Sequence, residues 1–181
     1  GFDTAAIDNP AGVTLSAAGW AGIERIDGFT GPDSIDASAL SDPLQLRGKG
    51  GDDTLAGGSA DDVLIGATGG DSLAGNAGAD VLIGGEEDDT LDGGPGRDVL
   101  TGGTGADRFV FANGDGTAID VIADFEDGAD LLDFTGHSGF VDFATSVTIT
   151  QTGADTRIAV GTDEVALLGT DAALVDASDF V

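Results

Sequence analysis

An aspartate recurs at every ninth residue through the middle of the chain, and carboxylates at such a spacing are candidate cation ligands. Residues 48–110 divide without a gap into seven nonapeptides, whose first position is always Gly and whose eighth is always Leu or Phe. Carboxylates and the carbonyls of Gly-rich turns form all-oxygen sites, which suit the flexible coordination shell of calcium better than the strict octahedron of magnesium. The aspartates at position six are Asp53, Asp62, Asp71, Asp80, Asp89, Asp98 and Asp107.

Each nonapeptide predicts a turn followed by a short strand. The first six positions are rich in Gly, Asn and Asp, which tolerate positive φ. The last three positions, such as Val63-Leu64-Ile65, form a strand whose middle side chain points to one face and whose neighbours point to the other. A turn that reverses the chain places successive strands in opposite sheets, so repeat n stacks on repeat n+2.

This stacking would bring the position-six carboxylates into columns with a spacing of roughly 4.8 Å. Two like charges at that distance repel by about 3 kcal/mol at an effective dielectric constant near 20. One buried Leu contributes roughly 1.5–3 kcal/mol, so repulsion and burial are comparable. We therefore expect that the coil does not close without a cation.

The strand residues differ between alternate repeats, which supports a coil of two repeats. Repeats two, four and six end in VLI, VLI and VLT, whereas repeats one, three and five end in TLA, SLA and TLD. The position-eight residues would fill the interior, and one sheet would have an apolar outer face. We expect the C-terminal segment to cover this face, because an exposed one would be an interaction patch. The residues of that face are Val63, Ile65, Val81, Ile83 and Val99.

Composition excludes several classes of protein. The formal charge of −28 repels phosphate, which argues against nucleic acid and anionic membrane surfaces as partners. The chain has no Cys, so it has no disulfide, thiolate metal site or cysteine nucleophile. No apolar run approaches the roughly 18 residues of a membrane span, and no signal peptide is recognised. The absence of Met predicts a fragment or a processed piece of a longer protein.

The repeats resemble the RTX, or haemolysin-type, calcium-binding repeat GGxGxDxUx. The resemblance implies an all-β fold, a parallel β-roll, with each calcium ion held between turns n and n+2. The seven repeats would form five such aspartate pairs: Asp53–Asp71, Asp62–Asp80, Asp71–Asp89, Asp80–Asp98 and Asp89–Asp107.

The resemblance also implies backbone carbonyl ligands from positions two and four of turn n and from positions one and three of turn n+2. In turn n these residues are Lys49, Gly51, Gly58, Ala60, Ala67, Gly69, Asn76, Gly78, Gly85 and Glu87. In turn n+2 they are Gly66, Thr68, Gly75, Ala77, Gly84, Glu86, Gly93, Pro95, Gly102 and Thr104.

Five residues depart from the glycines of this pattern. Lys49, Ala67 and Asn76 replace Gly at position two, and Ala60 and Glu87 replace it at position four. A carbonyl ligand remains at each position, but a non-Gly residue can strain the turn. We expect the sites that include Ala60 and Glu87 to be the weakest.

The N-terminal flank, residues 1–47, predicts degenerate rungs of the same roll. Residues 28–36 fit the nonapeptide at positions one, four, six and eight, so Asp33 could stack on Asp53 as a sixth calcium site or could simply occupy a turn. Leu44–Leu46 would be a strand without an Asp turn, and Val13–Leu15 and Ile23–Ile26 would be further rungs or a cap.

The C-terminal flank, residues 111–181, predicts a β cap. Its first part resembles the segment that follows the repeats in serralysin-type secreted metalloproteases, and Asp120, Asp124 and Asp130 there are either one more calcium site or turn residues. Three alternating segments, 147–151, 156–160 and 164–168, predict an antiparallel sheet that closes the roll. The last residues, 177–181, resemble the type I secretion signal of the family.

No catalytic constellation is present in the sequence. His137 is the single histidine, which excludes an HExxH zinc motif, and Ser138 lacks the G-x-S-x-G spacing. The leading hypothesis is a non-catalytic, secreted module of a larger protein, which folds on extracellular calcium and engages the type I secretion machinery through its C-terminus. The alternative is a calcium-stabilised module that binds a glycan or a cell surface, against which the single Trp20 argues mildly. An ice-binding solenoid ranks last, since the outer strand positions are mixed.

Overall fold

A computed structural model describes residues 4–6, 14–16, 22–112, 118–137, 140, 142–161 and 163–181. The fold is all-β, as predicted, with short strands separated by turns. The strands are β1 (Thr4–Ala6), β2 (Thr14–Ser16), β3 (Arg25–Asp27), β4 (Ser34–Asp36), β5 (Gln45–Arg47), β6 (Thr54–Ala56), β7 (Val63–Thr68), β8 (Ser72–Ala74), β9 (Val81–Glu86), β10 (Thr90–Asp92), β11 (Val99–Thr104), β12 (Arg108–Val110), β13 (Ile119–Ile122), β14 (Leu131–Asp133), β15 (Val147–Thr152), β16 (Asp155–Val160) and β17 (Asp163–Leu167). One short helix, α1 (Phe143–Ser146), and a 3-10 helix (Ala177–Asp179) complete the described elements.

Successive strands alternate between two sheets, which is the topology of a parallel β-roll. The long sheet has the order β1-β3-β5-β7-β9-β11-β13-β17-β16-β15, and the short sheet has the order β14-β12-β10-β8-β6-β4-β2. All pairs from β1 to β14 within these sheets are parallel. The prediction that repeat n stacks on repeat n+2 is confirmed.

The interior is a stack of position-eight side chains in register. Leu64 of β7 lies opposite Leu82 of β9, and Leu55 of β6 lies opposite Leu73 of β8. Each of these side chains is at most 1% exposed. At roughly 1.5–3 kcal/mol per fully buried aliphatic side chain, this stack is the main apolar contribution to stability.

The strands of the two sheets differ in length. The sequence pattern predicted a six-residue turn and a three-residue strand in every repeat, so it did not predict this difference. In the repeat region, strands of the short sheet have three residues, whereas β7, β9 and β11 have six. The longer strands continue into the following turn because its backbone also pairs, with Ala67 opposite Gly85 and Thr68 opposite Glu86. On this side, the pairing between neighbouring strands therefore continues into the turns.

The C-terminal strands extend the long sheet and do not cover it, which corrects the expectation for the apolar outer face. Strand β17 pairs with β13 in parallel, and β16 and β15 follow in antiparallel order. Val63, Ile65, Val81 and Ile83 are half-buried, and Val99 is 39% exposed. The outer face is thus a partly open apolar strip.

The N-terminal flank forms rungs of the same roll, and the predicted strand at Leu44 is shifted by one residue. Strand β5 begins at Gln45, and Leu46 is the buried residue opposite Leu64. Leu44 therefore stands where a repeat would have its position-six Asp. Val13 and Trp20 lie outside the described residues.

A cluster of aromatic rings closes the C-terminal end of the roll. The Phe134 ring lies 4.9 Å from that of Phe111, 6.0 Å from Phe140 and 6.1 Å from Phe180, measured between centroids. Phe180 also forms a parallel bridge with Leu132, beyond the edge of the short sheet. The segment that follows the 3-10 helix is therefore part of the cap.

Candidate calcium-binding turns

The position-six aspartates lie in two rows, one on each side of the roll, at the start of successive strands. All are at most 6% exposed, which is rare for carboxylates unless they are paired with other groups. The row that precedes the short sheet contains Asp33, Asp53, Asp71, Asp89, Asp107 and Asp130, and the row that precedes the long sheet contains Asp62, Asp80, Asp98 and Asp120.

A ladder of hydrogen bonds connects the aspartates within each row. The backbone N–H of Asp53 donates to Oδ1 of Asp71 over 2.8 Å. The same bond joins each successive pair of residues in both rows. One row begins at Asp33 and ends at Asp130, and the other begins at Leu44 and ends at Asp120. These bonds are 2.7–3.0 Å long. The register of the turns is thus fixed by one oxygen of each carboxylate.

The second oxygen of five of these carboxylates is buried and has no hydrogen-bond partner among the described residues. These oxygens are Oδ2 of Asp53, Asp71, Asp80, Asp89 and Asp98. A buried polar atom without a partner costs about 1–3 kcal/mol, and more if it is charged. Five such atoms at equivalent positions fit a positively charged ligand that recurs with the fold.

Three other carboxylates have a backbone partner at the second oxygen. Oδ2 of Asp62 accepts the N–H of Gly58 at 2.6 Å, and Oδ2 of Asp130 accepts that of Glu126 at 2.9 Å. Oδ2 of Asp33 accepts the N–H of Phe29 at 2.6 Å. These three residues stand at row ends, where a neighbouring aspartate is present on one side only.

Burial shifts the titration of the ladder carboxylates toward neutral pH. Desolvation, the largest cause, raises the pKa of Asp53, Asp71, Asp80 and Asp98 to about 6, against the stabilising effect of the ladder hydrogen bonds. The pKa of Asp89 rises to about 7, since Asp71 and Asp107 add like charge to its burial. The turns are consequently unfavourable for ionised aspartate until a cation is near.

Glycine at position one is required by the packing of the same carboxylate. A Cβ atom added at Gly48, Gly66 or Gly102 would collide with Oδ2 of the aspartate in its own repeat. The Gly at position one and the Asp at position six recur together in the sequence pattern because they pack directly against each other.

The replaced glycines differ in backbone strain. Lys49, Ala67, Asn76 and Glu87 have φ values of 86°, 95°, 69° and 79°, in the left-handed region that favours Gly. Ala60 is not among the residues with positive φ. The expectation of strain thus holds for Glu87 at position four and not for Ala60.

The turn carbonyls predicted as ligands lie between adjoining turns, where they also accept backbone hydrogen bonds. The carbonyl of Gly66 accepts the N–H of Lys49 at 2.9 Å, and that of Thr68 accepts the N–H of Gly51 at 2.9 Å. A carbonyl oxygen has two lone pairs, so these bonds leave a second acceptor position on each. The described residues contain no cluster of three or more His, Cys, Asp or Glu side chains that could hold one ion.

The donor set fits calcium. Pairs of carboxylates supply negative charge, the turns supply carbonyl oxygens, and the unpartnered Oδ2 atoms supply positions where a cation would be favourable. No His lies in the turns, and the chain has no Cys, so the nitrogen and sulfur ligands of zinc or copper are absent from them.

The flanks extend both rows, in a way that sequence alone did not resolve. Asp33 stacks on Asp53 as anticipated, with its N–H 2.7 Å from Oδ1 of Asp53. Asp120, Asp124 and Asp130 do not share one site: Asp120 lies beside Asp98, whereas Asp130 lies beside Asp107 in the other row. The sequence Asp120-Val121-Ile122 repeats the Asp62-Val63-Leu64 pattern, a signal that could have located it.

Asp124 has a different role from the ladder aspartates. Its two carboxylate oxygens accept the N–H groups of Gly102 and Gly103, at 3.0 and 2.9 Å. It thus fastens the turn of the last repeat to the start of the C-terminal flank. It also raises the pKa of both Asp107 and Asp130, although burial is the larger cause in each.

His137 has a structural position. Its Nε2 lies 2.7 Å from Oδ2 of Asp163, and the ring is 8% exposed. The pair connects the loop after β14 to the start of β17. Ser138 is outside the described residues.

The described residues include no helix that is long and apolar enough to cross a membrane.

Comparison with known proteins agrees with this geometry. The model of the RTX calcium-binding nonapeptide repeat matches four times, at residues 45–73, 65–98, 74–109 and 83–118. A comparison with curated proteins found no significant match.

Among solved structures, a bacterial lipase shares the fold, and two epimerase subunits match with lower TM-scores. The crystal structure of extracellular lipase LipA from Serratia marcescens is 18% identical, with a TM-score of 0.51, and the match covers 98% of this chain and 40% of the lipase. The chain thus spans less than half of the lipase. Solution structures of the AlgE6R3 and AlgE6R2 subunits of an Azotobacter vinelandii mannuronan C5-epimerase are 30% and 31% identical, with TM-scores of 0.40 and 0.44. These matches cover 80% and 71% of this chain, and 81% and 91% of the respective subunits.

The nonapeptide match, the parallel roll and the stacked aspartate turns agree with one another. Residues 45–118 are RTX calcium-binding nonapeptide repeats, and the chain belongs to the family that they define.

Proposed function

We propose that this chain is a calcium-triggered folding module of a larger secreted protein, which it helps to export and to fold. The observation that carries the proposal is the set of five buried, unpartnered Oδ2 atoms at equivalent places in stacked turns. They make the folded state unfavourable without a cation and favourable with one. Calcium binding then contributes directly to the free energy of folding.

About five calcium ions would occupy the aspartate pairs of the regular repeats. The pairs Asp53–Asp71, Asp71–Asp89 and Asp80–Asp98 have an unpartnered oxygen on both members, so we expect them to bind most strongly. The pairs that include Asp62 and Asp107 have it on one member only. These are the sites that contain Ala60 and Glu87 at position four, and of these two residues only Glu87 has a positive φ.

Further ions would extend the rows into the flanks. The three additional pairs are Asp33–Asp53, Asp98–Asp120 and Asp107–Asp130. Leu44 ends the other row at Asp62, because its side chain offers no oxygen at that place. The proposed division of the chain is an N-terminal flank (1–47), the repeat roll (48–110) and a C-terminal cap with the secretion region (111–181).

The same charge would make folding depend on the compartment. Sites in extracellular modules bind calcium with dissociation constants of roughly 10⁻⁴–10⁻³ M, so they are empty in a calcium-poor cytosol. A chain with a formal charge of −28 would then stay unfolded, which suits passage through a narrow secretion channel. Five bound ions would neutralise ten of these charges outside the cell, where folding would hinder backward movement.

The position of residues 177–181 is consistent with a signal that is read before folding. Asp179 is 1% exposed and Phe180 is 9% exposed, and the N–H of Val181 donates to the carbonyl of Leu132 at 3.2 Å. Ala177, Ser178 and Val181 remain exposed, so folding would cover only the Asp179 and Phe180 side chains. A secretion receptor that reads these two side chains would bind the unfolded chain.

A second candidate function, an extracellular module for binding a glycan or a cell surface, draws support from the open face of the long sheet. A cleft of about 360 Å³ between the roll and the C-terminal strands has an apolar floor that includes Val121 and Leu168. Arg97 and Arg157, two of the six basic residues of the chain, line it. Asp155 also lines the cleft, and Arg157 lies 3.4 Å from the carboxylate of Glu164, so Arg97 is the group that would meet an anionic ligand there.

Far-ultraviolet circular dichroism during calcium titration tests the primary proposal. We expect a coil-to-β transition that a chelator reverses and that magnesium at equal concentration does not reproduce. A β spectrum that is insensitive to both calcium and chelator would reject it. A saturable glycan ligand, found only with calcium present, would favour the second candidate.

A further inference from the structure

We infer that the aspartates at position five of three repeats, Asp52, Asp61 and Asp88, are positioning residues that clamp the two turns around a calcium ion. This inference rests on the proposed calcium sites between turns n and n+2. The three side chains are exposed to solvent and lie beside the ladder aspartates. They are not part of the repeat pattern, since position five varies freely among the seven repeats.

Each of these carboxylates accepts a hydrogen bond from the turn two repeats further on. Oδ1 of Asp61 accepts the N–H of Ala79 at 2.8 Å, and Oδ1 of Asp88 accepts that of Ala106 at 2.8 Å. Oδ1 of Asp52 accepts the N–H of Gly70 at 3.2 Å. In every case the donor is the residue at position five of repeat n+2.

These bonds run opposite to those of the ladder. In the ladder, position six of turn n donates its N–H to the carboxylate of turn n+2, as Asp62 does to Asp80. At position five, turn n+2 donates its N–H to the carboxylate of turn n. We term the two antiparallel bonds a reciprocal bracket. A bracket adds a second bond, of opposite direction, within the turns themselves, next to the strand pairing that all repeats share.

The brackets are distributed unevenly among the proposed sites. They join the turns of the pairs Asp53–Asp71, Asp62–Asp80 and Asp89–Asp107. The turns of Asp71–Asp89 and Asp80–Asp98 have Gly70 and Ala79 at position five of the first turn, so they lack the second bond. Two of the three brackets therefore support the sites with Ala60 or Glu87 at position four, which are otherwise expected to be weakest.

Preorganisation gives the physical reason for an effect on affinity. A cation between two turns must hold both at one separation, and turns already fixed by the protein lose less conformational freedom on binding. A net hydrogen-bond contribution of about 0.5–1.5 kcal/mol corresponds to roughly two- to tenfold in the dissociation constant of one site. The same carboxylates also add negative charge next to each site, because they directly precede Asp53, Asp62 and Asp89, so the test must separate this charge from the hydrogen bond.

The first test compares Asp61→Ala with Asp61→Asn in the full chain, with calcium binding followed by isothermal titration calorimetry. Alanine removes the acceptor, whereas the Asn carbonyl oxygen preserves it and removes the charge. We expect Asp61→Ala to weaken one site roughly two- to tenfold and Asp61→Asn to restore most of that loss. Asp42→Ala is the matched control, because Asp42 is equally exposed and makes no hydrogen bond between turns in the described structure.

The second test adds a bracket where the chain has none. The Ala79 side chain is exposed, and a carboxylate there would face the backbone N–H of Arg97 as Asp61 faces that of Ala79. We expect both Ala79→Asp and Ala79→Asn to tighten the Asp80–Asp98 site by a similar two- to tenfold.

The outcomes separate this inference from the proposed function. A wild-type chain that binds no calcium would reject the proposed function itself. Calcium binding that is unchanged by Asp61→Ala and by both Ala79 variants would reject only the bracket. Equal losses for Asp61→Ala and Asp61→Asn would also overturn it, since charge and not the hydrogen bond would then be responsible.

Discussion

At the scale of single residues, the calcium turns depend on a contact between a glycine and a carboxylate that leaves one oxygen unpartnered. Oδ1 of Asp71 is committed to the backbone of Asp53, and Oδ2 faces Gly66 without a hydrogen bond. This division lets one side chain fix the register of the turns and still offer an oxygen to a cation. The unpartnered oxygen thus lowers the stability of the calcium-free fold, and bound calcium would remove this loss.

Asp71→Asn should change apo and calcium-bound stability in opposite directions. Asn retains an oxygen for the N–H of Asp53 but removes a buried charge, so the calcium-free fold should gain stability. The increase in stability with calcium should fall by about 1.5–3 kcal/mol or more, because two proposed sites share this residue. Circular dichroism in chelator measures the folded fraction of the calcium-free chain, and chemical denaturation at several calcium concentrations measures the gain in stability from calcium. A variant with an undiminished calcium effect would contradict a ligand role for Asp71.

Gly66→Ala should destabilise the roll by about 1–3 kcal/mol or more, because its Cβ would collide with the carboxylate of Asp71. Gly136→Ala is the matched control, since its Cβ would lie 3.7 Å from that of Ala112, an ordinary contact. Thermal denaturation in calcium compares the two variants. Equal effects would show that loss of Gly flexibility, and not this contact, is responsible.

At the scale of elements, the roll is an open stack whose ends need separate closure. The interior repeats one Leu per strand, so nothing in this pattern ends the stack after a given number of strands. At the C-terminal end the stack is closed by larger residues, with Phe109 and the rings around Phe134, and the long sheet is continued by antiparallel strands. Terminal units of a solenoid need such a cap to protect the last rung.

Phe180→Ala should loosen this cap. Phe180 is 9% exposed, and its ring lies 4.9 Å from that of Phe143. Truncation of a buried Phe costs about 3–5 kcal/mol. Leu174→Ala is the control, because Leu174 is 52% exposed and should cost under about 0.5 kcal/mol. Hydrogen exchange should show the loss first in β14 and α1, which Phe180 contacts, and protection there equal to wild type would contradict the role of Phe180.

At the scale of the whole molecule, a charge of −28 makes the stability of the fold depend on the pH and the calcium concentration of the solution. Acidic side chains outnumber basic ones by 34 to 6, and ten of the acidic groups are packed into two rows. Protons and calcium ions can each reduce this repulsion. They should therefore compete for the same buried oxygens.

Without calcium, the folded state should be more stable near pH 4 than near pH 8. The pKa values of Asp53, Asp71 and Asp89 rise to about 6, 6 and 7 in the fold, against about 3.9 in an unfolded chain. Between these values the folded state binds more protons, so its stability falls as the pH rises through that window. Far-ultraviolet circular dichroism in chelator at several pH values measures this as the fraction of the calcium-free chain that is folded.

The double variant Asp71→Asn, Asp89→Asn is the control for this dependence. It lacks two of the titrating groups and should show a shallower slope than the wild type. If the folded fraction depended on pH as steeply as in the wild type, the general surface charge would be responsible for the pH effect. With calcium in excess the dependence should reverse, because deprotonated aspartates bind the ion better.

The nonapeptide alone determined the roll, its direction of stacking and the seven central aspartates, because each repeat contains a complete turn and strand with one buried position. It could also place β4 and the three C-terminal strands within a residue or two, since alternation is a local pattern. Local pattern could not decide that Asp120 and Asp130 belong to opposite rows, or that Leu44 occupies an aspartate position. Those assignments depend on the length of each irregular loop, which sets the residue at which the next strand begins to pair. Nor could it show that the last strands widen the long sheet, because the choice between edge pairing and face packing is made only when the tertiary structure presents an unpaired edge.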